Sequence, residues 1–262
     1  MASLREKLLL KGGGVISLVG AGGKTTLMFR LARELADAGE TVLTTTTTKI
    51  YKPSKEQSPC IIISADLEEV VKQAKKFKLE CAHITAACGY LASQGKLTGF
   101  KPYVINQLWE TGLFRWILVE ADGAARKPLK APASHEPVIP TCSGWVVAMI
   151  GLDAVGKPLE DQWVFRSRLY SQITGLPPGK PVTEDSVARI ILHHQGLMKG
   201  SPSRARRFVF LNKAEDEGAH KAAQKIGSIL LIKGHDKLEK IVIGALELEP
   251  PLVEWYEPDE RL

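Results

Sequence analysis

A chain of 262 residues with 44% hydrophobic and 24% charged side chains is long enough for one large α/β domain or two small ones, and its composition is that of an ordinary globular protein. It has no run of eighteen apolar residues and no signal-peptide pattern, Leu8-Leu9-Leu10 being a short patch between Lys7 and Lys11, so the expected location is the cytoplasm, with no membrane partner. The 35 Lys and Arg outnumber the 29 Asp and Glu by six, which favours anionic partners, and nucleotide phosphates satisfy that balance without nucleic acid.

The first element is the apolar run Val15-Ile16-Ser17-Leu18-Val19, read as a buried strand. It enters Gly20-Ala21-Gly22-Gly23-Lys24-Thr25-Thr26, and a helical stripe of Leu27, Met28, Leu31, Ala32, Leu35 and Ala36 follows, closed by Gly39. A glycine-rich turn between strand and helix leaves backbone N–H groups free to wrap a polyphosphate. Lys24 then reaches the β- and γ-phosphates, and the Thr25 hydroxyl holds Mg²⁺. The usual GxxxxGK(S/T) loop has its first glycine six residues before the lysine, where this chain has Leu18; Gly20 makes the loop two residues shorter. This GxxGKTT form resembles the shortened loop of the Mur-ligase and folylpolyglutamate-synthetase ATPases, which implies that the length still holds a triphosphate. Gly20 to Thr26 are therefore the expected nucleotide-binding residues, for ATP or GTP.

Thr41 to Thr44 reads as the next strand, giving a βαβ unit and hence a parallel sheet with sites at the strands' carboxyl ends. The run Thr44 to Thr48 is either a plain strand end or a set of hydroxyls beside the triphosphate, and both readings stay open. Lys49 is placed by Pro53 in a loop at that edge. Cys60 to Ile63 is a short strand, Leu67 to Lys78 an amphipathic helix, and His83 to Cys88 a strand. Gly89 to Phe100 reads as a hairpin or irregular excursion, and Tyr103 to Glu110 as a helix ended by Gly112. Cys60, Cys81, Cys88 and Cys142 form no CxxC pair and are expected as buried reduced thiols.

Trp116 to Val119 is a continuous apolar strand that ends in Glu120-Ala121-Asp122-Gly123, the form of a Walker B element. Glu120 and Asp122 share a side if extended geometry continues. Either acid suits the metal; Asp122 is assigned here to Mg²⁺ and Glu120 to the attacking water or to base work. The proline-rich stretch that follows, with Arg126, Lys127, Lys130 and His135, reads as a stiff cationic loop near the γ-phosphate, where His135 beside Glu136 is an acid/base candidate or a structural hydrogen-bonder. Val146 to Ile150 is another strand delivering Asp153 to the same edge, for a turn or for a substrate.

Val164 to Thr174 reads as helical, and Thr183 as the N-cap of a helix with His193 and His194 in its last turn. The Arg204, Arg206 and Arg207 cluster reads as a solvated loop before the strand Phe208 to Leu211. That strand delivers Asn212-Lys213-Ala214-Glu215-Asp216, which resembles the guanine-reading NKxD motif with its carboxylate displaced, so Asn212, Lys213 and Glu215 join the nucleotide-binding set while the base stays open. Ile229 to Ile232 and Ile241 to Ala245 read as final strands, and Glu254 to Arg261 as a tail.

The segments GAGGKTT, TTTTTK, VEADGAARKPLKAPASHEPVIP and GLDAVGKPL together resemble the YqeC family over about Gly20 to Lys213. The resemblance implies a cytoplasmic P-loop protein that acts, with a protein partner, in maturation of a selenium-dependent molybdenum hydroxylase. The fold expected is α/β, P-loop NTPase-like, a three-layer αβα sandwich with a mostly parallel central sheet. It is read as a single domain over residues 1–262, with a small helical insertion at about 156–200. The expected function is a Mg²⁺-dependent NTPase, with Lys24, Glu120 and Asp122 catalytic and Thr25 and Asp122 on the metal. The alternatives are a small-molecule kinase or ATP-dependent ligase, motivated by the short loop, and a nucleotide-binding scaffold.

Overall fold

The structure is a computed structural model that describes residues 4–8, 12–234, 237–249 and 251–256. Its strands in chain order are β1 (Gly14–Gly20), β2 (Val42–Thr46), β3 (Lys49–Tyr51), β4 (Cys60–Ile63), β5 (His83–Ala87), β6 (Gly89–Leu91), β7 (Lys96–Thr98), β8 (Trp116–Glu120), β9 (Leu129–Lys130), β10 (Ser143–Gly151), β11 (Val164–Phe165), β12 (Arg206–Asn212), β13 (Lys240–Ala245) and β14 (Leu252–Tyr256). The helices are α1 (Leu4–Lys7), α2 (Lys24–Asp37), α3 (Leu67–Phe77), α4 (Pro102–Glu110), α5 (Ser167–Thr174), α6 (Glu184–Leu192) and α7 (Glu217–Gly234).

The main sheet runs β14-β13-β12-β10-β1-β8-β2-β5-β4, with every pair parallel except β13 and β14. Parallel strands connected by helices are covered on both faces, which is why β1, β2 and β8 are buried along their whole length. Side chains alternate between the faces. Ile16, Leu18, Leu118, Val147, Met149, Phe208 and Phe210 pack with Leu27, Met28, Leu31 and Leu35 of α2. Val19, Val146, Ala148, Ile150, Val209 and Leu211 pack on the other face with residues of α5, α6 and α7, and Val15, Ile117 and Val119 with those of α3 and α4. This is the expected three-layer α/β sandwich.

Several local expectations are corrected. Ile229 to Ile232 is not a strand but part of α7, whose buried stripe Ala223, Ile226 and Leu230 has helical spacing that a four-residue apolar run cannot reveal. Lys49 begins strand β3, which joins β7 and β6 in a small antiparallel sheet; Pro53 falls just beyond it rather than dissolving it. The helix expected from Val164 starts at Ser167, after the two-residue strand β11. Helix α6 ends at Leu192, so His193 is its extended C-cap and His194 lies outside it. Glu254 to Tyr256 of the expected tail belong to β14, which pairs antiparallel with β13, whereas the rest of that tail, and Leu9 and Leu10, lie outside the described residues. Cys60 and Cys81, expected reduced, form a disulfide: edge strand β4 and the turn after α3 bring their Cα atoms to 6.5 Å.

Residues 156–200 do contain two helices, α5 and α6, and Tyr170, Val187 and Ile190 carry them into the main core. Gly89 to Phe100 is the expected hairpin, β6 and β7 joined by a short 3₁₀ turn.

Candidate functional site

The site forms where β1 ends. Leu18 is level with Glu120 of the neighbouring β8, so the last residues of both strands open onto the same edge. Gly20, Gly22 and Gly23 have φ of 87°, 83° and 132°, a region that side chains with a Cβ rarely adopt. A Cβ on Gly22 would also overlap the Gly151 backbone, because the loop packs directly on the end of β10. The Ala21 amide donates to the Met149 carbonyl at 2.9 Å, and the Gly20 amide to Asp122 Oδ2 at 3.0 Å. Asn212 ties the loop from the far side: its Nδ2 donates to the Gly22 carbonyl at 2.8 Å and its Oδ1 accepts from the Leu246 amide at 3.0 Å. No side chain caps the N-terminus of α2. Its first turn lines a cleft of about 1070 Å³.

Behind the loop lies a chain of buried charges. Lys24 Nζ donates to the Gly20 carbonyl at 2.5 Å, and lies 2.9 Å from Asp122 Oδ1 and 3.9 Å from Glu120 Oε1. Asp122 is fully buried, and its other oxygen is 2.9 Å from Lys130 Nζ, itself fully buried. Lys130 also donates to Glu136 Oε2 at 2.8 Å and to the Gly123 carbonyl at 2.6 Å, so two hydrogen bonds and the Asp122 ion pair hold its ammonium. Glu136 in turn accepts from Arg166 at 2.5 and 3.3 Å. Three cations and three carboxylates thus balance in a connected network, as buried charges require.

The ionisations follow from this geometry. Burial alone would lower the Lys24 ammonium, but Asp122 and Glu120 outweigh it and hold its pKa above the ordinary lysine value. Burial pushes the Glu120 carboxyl up, against the pull of Lys24 and the Thr25 hydroxyl. Burial would raise Glu136 as well; the hydrogen bonds from Arg166 and Lys130 prevail and bring it down to about 2.

The two acids at the strand end divide their contacts in a way the spacing did not show. Asp122, expected on the metal side, faces two lysines and the Gly20 amide away from solvent. Glu120, expected to orient water, is the one touching Thr25, whose Oγ1 donates to its Oε2 at 2.7 Å. Glu120 lines the cleft, as do Gly22, Gly23, Lys24, Thr25 and Thr26. Among the described residues there is no cluster of three His, Cys, Asp or Glu groups able to hold a metal by itself.

Other expected residues scatter. Thr44, Thr45 and Thr46 are buried and spend their hydroxyls on Thr85, the Ala86 carbonyl and the Glu120 carbonyl, so the strand-end reading holds for them; only Thr48 and Lys49 of that segment line the cleft. Arg126 and Lys127 line it too, whereas His135 is exposed outside the lining and its neighbour Glu136 is the engaged acid. Lys213 lines the cleft and is 2.6 Å from Asp153, which sits in a turn after β10. Glu215 is exposed and outside the cleft, and Asp216 accepts from the Ala219 amide at the start of α7. Neither carboxylate of the NKxD-like stretch therefore enters the cleft with Asn212 and Lys213.

Arg166, Tyr51 and Lys96 were not singled out from sequence, yet all three line the cleft. Tyr51 carries Arg126 4.3 Å and Lys96 4.9 Å from its ring centre. Arg166 left no local signal, being an arginine at the start of an amphipathic helix.

A family model described as YqeC protein matches residues 16–168. The chain is 33% identical over 244 residues to an Escherichia coli (strain K12) protein named "Uncharacterized protein YqeC", covering 91% of this chain and 90% of that one.

Proposed function

This chain belongs to the YqeC family, and from that premise we propose that it is a Mg²⁺-dependent nucleoside-triphosphate-binding protein that hydrolyses ATP or GTP. The observation that carries the reading is Lys24, held at the head of an uncapped helix between the Asp122 and Glu120 carboxylates and facing a cleft with seven Lys or Arg against three Glu. Such a wall favours a polyanion.

The residues fit a triphosphate with its metal. The Thr25 hydroxyl and the Glu120 carboxylate are adjacent hard oxygen donors at the cleft, and Mg²⁺ is commonly held by one or two carboxylates together with substrate phosphates. We assign that role to Thr25 and Glu120. A Mg²⁺ bound there would neutralise charge on the phosphate oxygens. Asp122 takes a different part: when Lys24 turns to phosphate, Asp122 keeps Lys130 and the Gly20 amide, so its buried charge is never left alone. The loop and helix amides bind phosphate oxygens, and Asn212 fixes the loop's position.

As biological context we propose an accessory step, with a protein partner, in maturation of a selenium-dependent molybdenum hydroxylase; the support for this is the family resemblance alone. The nucleotide reading is tested by calorimetry with MgATP and MgGTP, followed by phosphate release from the same sample. Binding by the wild-type chain that Lys24→Ala weakens at least a hundredfold is expected. Equal binding by Lys24→Ala, or none by the wild type, overturns it.

A further inference from the structure

The cleft runs across the carboxyl edge to both sides of the glycine loop. Asn212 ends β12 and Lys49 follows β2, and these strands stand four places apart in the sheet, about 19 Å at ~4.8 Å per strand. The β12 side holds the Asn212 tether and Lys213, already paired with Asp153. The β2 side is different. Lys49, Lys96 and Arg126 line it, and none of the three has an ion-pair partner among the described residues. Beside them Tyr51 is 45% exposed, with Arg126 and Lys96 resting over its ring at 4.3 and 4.9 Å.

We infer that this arm is a second binding subsite, for a small molecule that joins a flat aromatic ring to a phosphate or carboxylate. Unpaired cations in a concave wall call for an anion, and an exposed tyrosine among them offers a stacking surface. Arg126 reaches its place through a turn closed by Lys127 N–H to the Ala124 carbonyl at 2.9 Å, with Ala125 and Arg126 both at positive φ, 48° and 59°. Such a turn is ordinarily Asn-Gly or another pair that tolerates positive φ; two ordinary residues held there mark a backbone kept under strain, as functional sites often show. The guanidinium rests over the Tyr51 ring, the face a ligand ring would take, and moves from there to the ligand's oxyanion. The subsite rests on the nucleotide reading only in leaving the glycine loop to a triphosphate. Together the two arms would seat a nucleotide and an acceptor side by side.

Flavin mononucleotide, which joins a flat fluorescent ring to a phosphate, is the probe. It is titrated into the full chain with and without saturating Mg²⁺ and AMPPNP, beside riboflavin and inorganic phosphate. Flavin mononucleotide is expected to bind in both conditions, at least tenfold more tightly than riboflavin or phosphate. Tyr51→Ala and Lys96→Ala should each weaken it tenfold or more, Tyr51→Phe should retain it, and Tyr51→Ala should bind AMPPNP as the wild type does. Absence of flavin mononucleotide binding, displacement of it by AMPPNP, or loss of AMPPNP affinity in Tyr51→Ala overturns the subsite, the last by making Tyr51 part of the nucleotide's own site. A chain that binds no AMPPNP refutes the nucleotide reading instead, and the Tyr51 variants still decide the subsite.

Discussion

Lys130→Met tests whether the buried charge network holds the site together. Methionine keeps the length of the aliphatic stem, so the change removes a charge, its ion pairs and two hydrogen bonds with little loss of packing. Lys130 is fully buried and bonds Asp122, Glu136 and the Gly123 carbonyl. Without it the network carries three carboxylates against two cations, and Asp122 keeps only Lys24 and the Gly20 amide. Breaking a buried pair from one side costs about 3–5 kcal/mol. At about 2–4 °C per kcal/mol for a chain of this order of size, the melting temperature falls by roughly 10 °C. The assay is urea and thermal denaturation at pH 7 of the wild type, Lys130→Met, Asp122→Asn and the double variant. Removing the facing carboxylate relieves the uncompensated charge, so the double variant should lose about 1–3 kcal/mol less than the two singles summed. A Lys130→Met protein within about 1 kcal/mol of the wild type, or strictly additive losses, would refute the network as the site's support.

Burial lowers the His83 pKa to about 4, so the fold refuses a proton that the unfolded chain takes up near pH 6.5. Its contribution is complete above pH 6.5 and is lost as pH falls towards 4. Between pH 7.5 and 5, the wild type should lose about 2 kcal/mol more in chemical denaturation than His83→Gln. Glu136, held down to about 2, stabilises the fold above the ordinary carboxylate range and loses that contribution as pH falls through about 2. An acid titration of Glu136→Gln should lack that part of the transition. Gly22→Ala, at φ 83° and against the Gly151 backbone, should displace the loop and weaken MgATP binding more than tenfold by calorimetry. Asn212→Ala strands the Leu246 amide and frees Gly22, with an expected stability loss of about 1–3 kcal/mol and weaker nucleotide binding.

Local chemistry made part of this protein legible in its sequence. An apolar run, three glycines, Lys24 and a helical stripe announce a strand, a glycine-rich turn and a helix, because each signal sits within a few residues. The same holds for the strand that ends at Glu120, and for the alternation of helices and strands that implies a parallel sheet. What lay beyond local reach was partnership. Ile229 to Ile232 was ambiguous because four apolar residues suit a strand or a buried helix, and the stripe that decides between them spans α7. The Cys60–Cys81 pairing needed the spatial meeting of β4 with the end of α3. Ala125-Arg126 carries no turn signal, so only the surrounding structure reveals its positive φ.

Two strand ends and a glycine-rich turn were enough to expect Lys24, Glu120 and Asp122 at one sheet edge. Which carboxylate touches Thr25, that Lys130, Glu136 and Arg166 carry the charges round to the cleft wall, and that Tyr51, Lys96 and Arg126 share that wall depend on contacts between distant segments. Backbone periodicity is set by neighbours in the chain. Charge compensation is set by neighbours in space, and burial forces it to be complete.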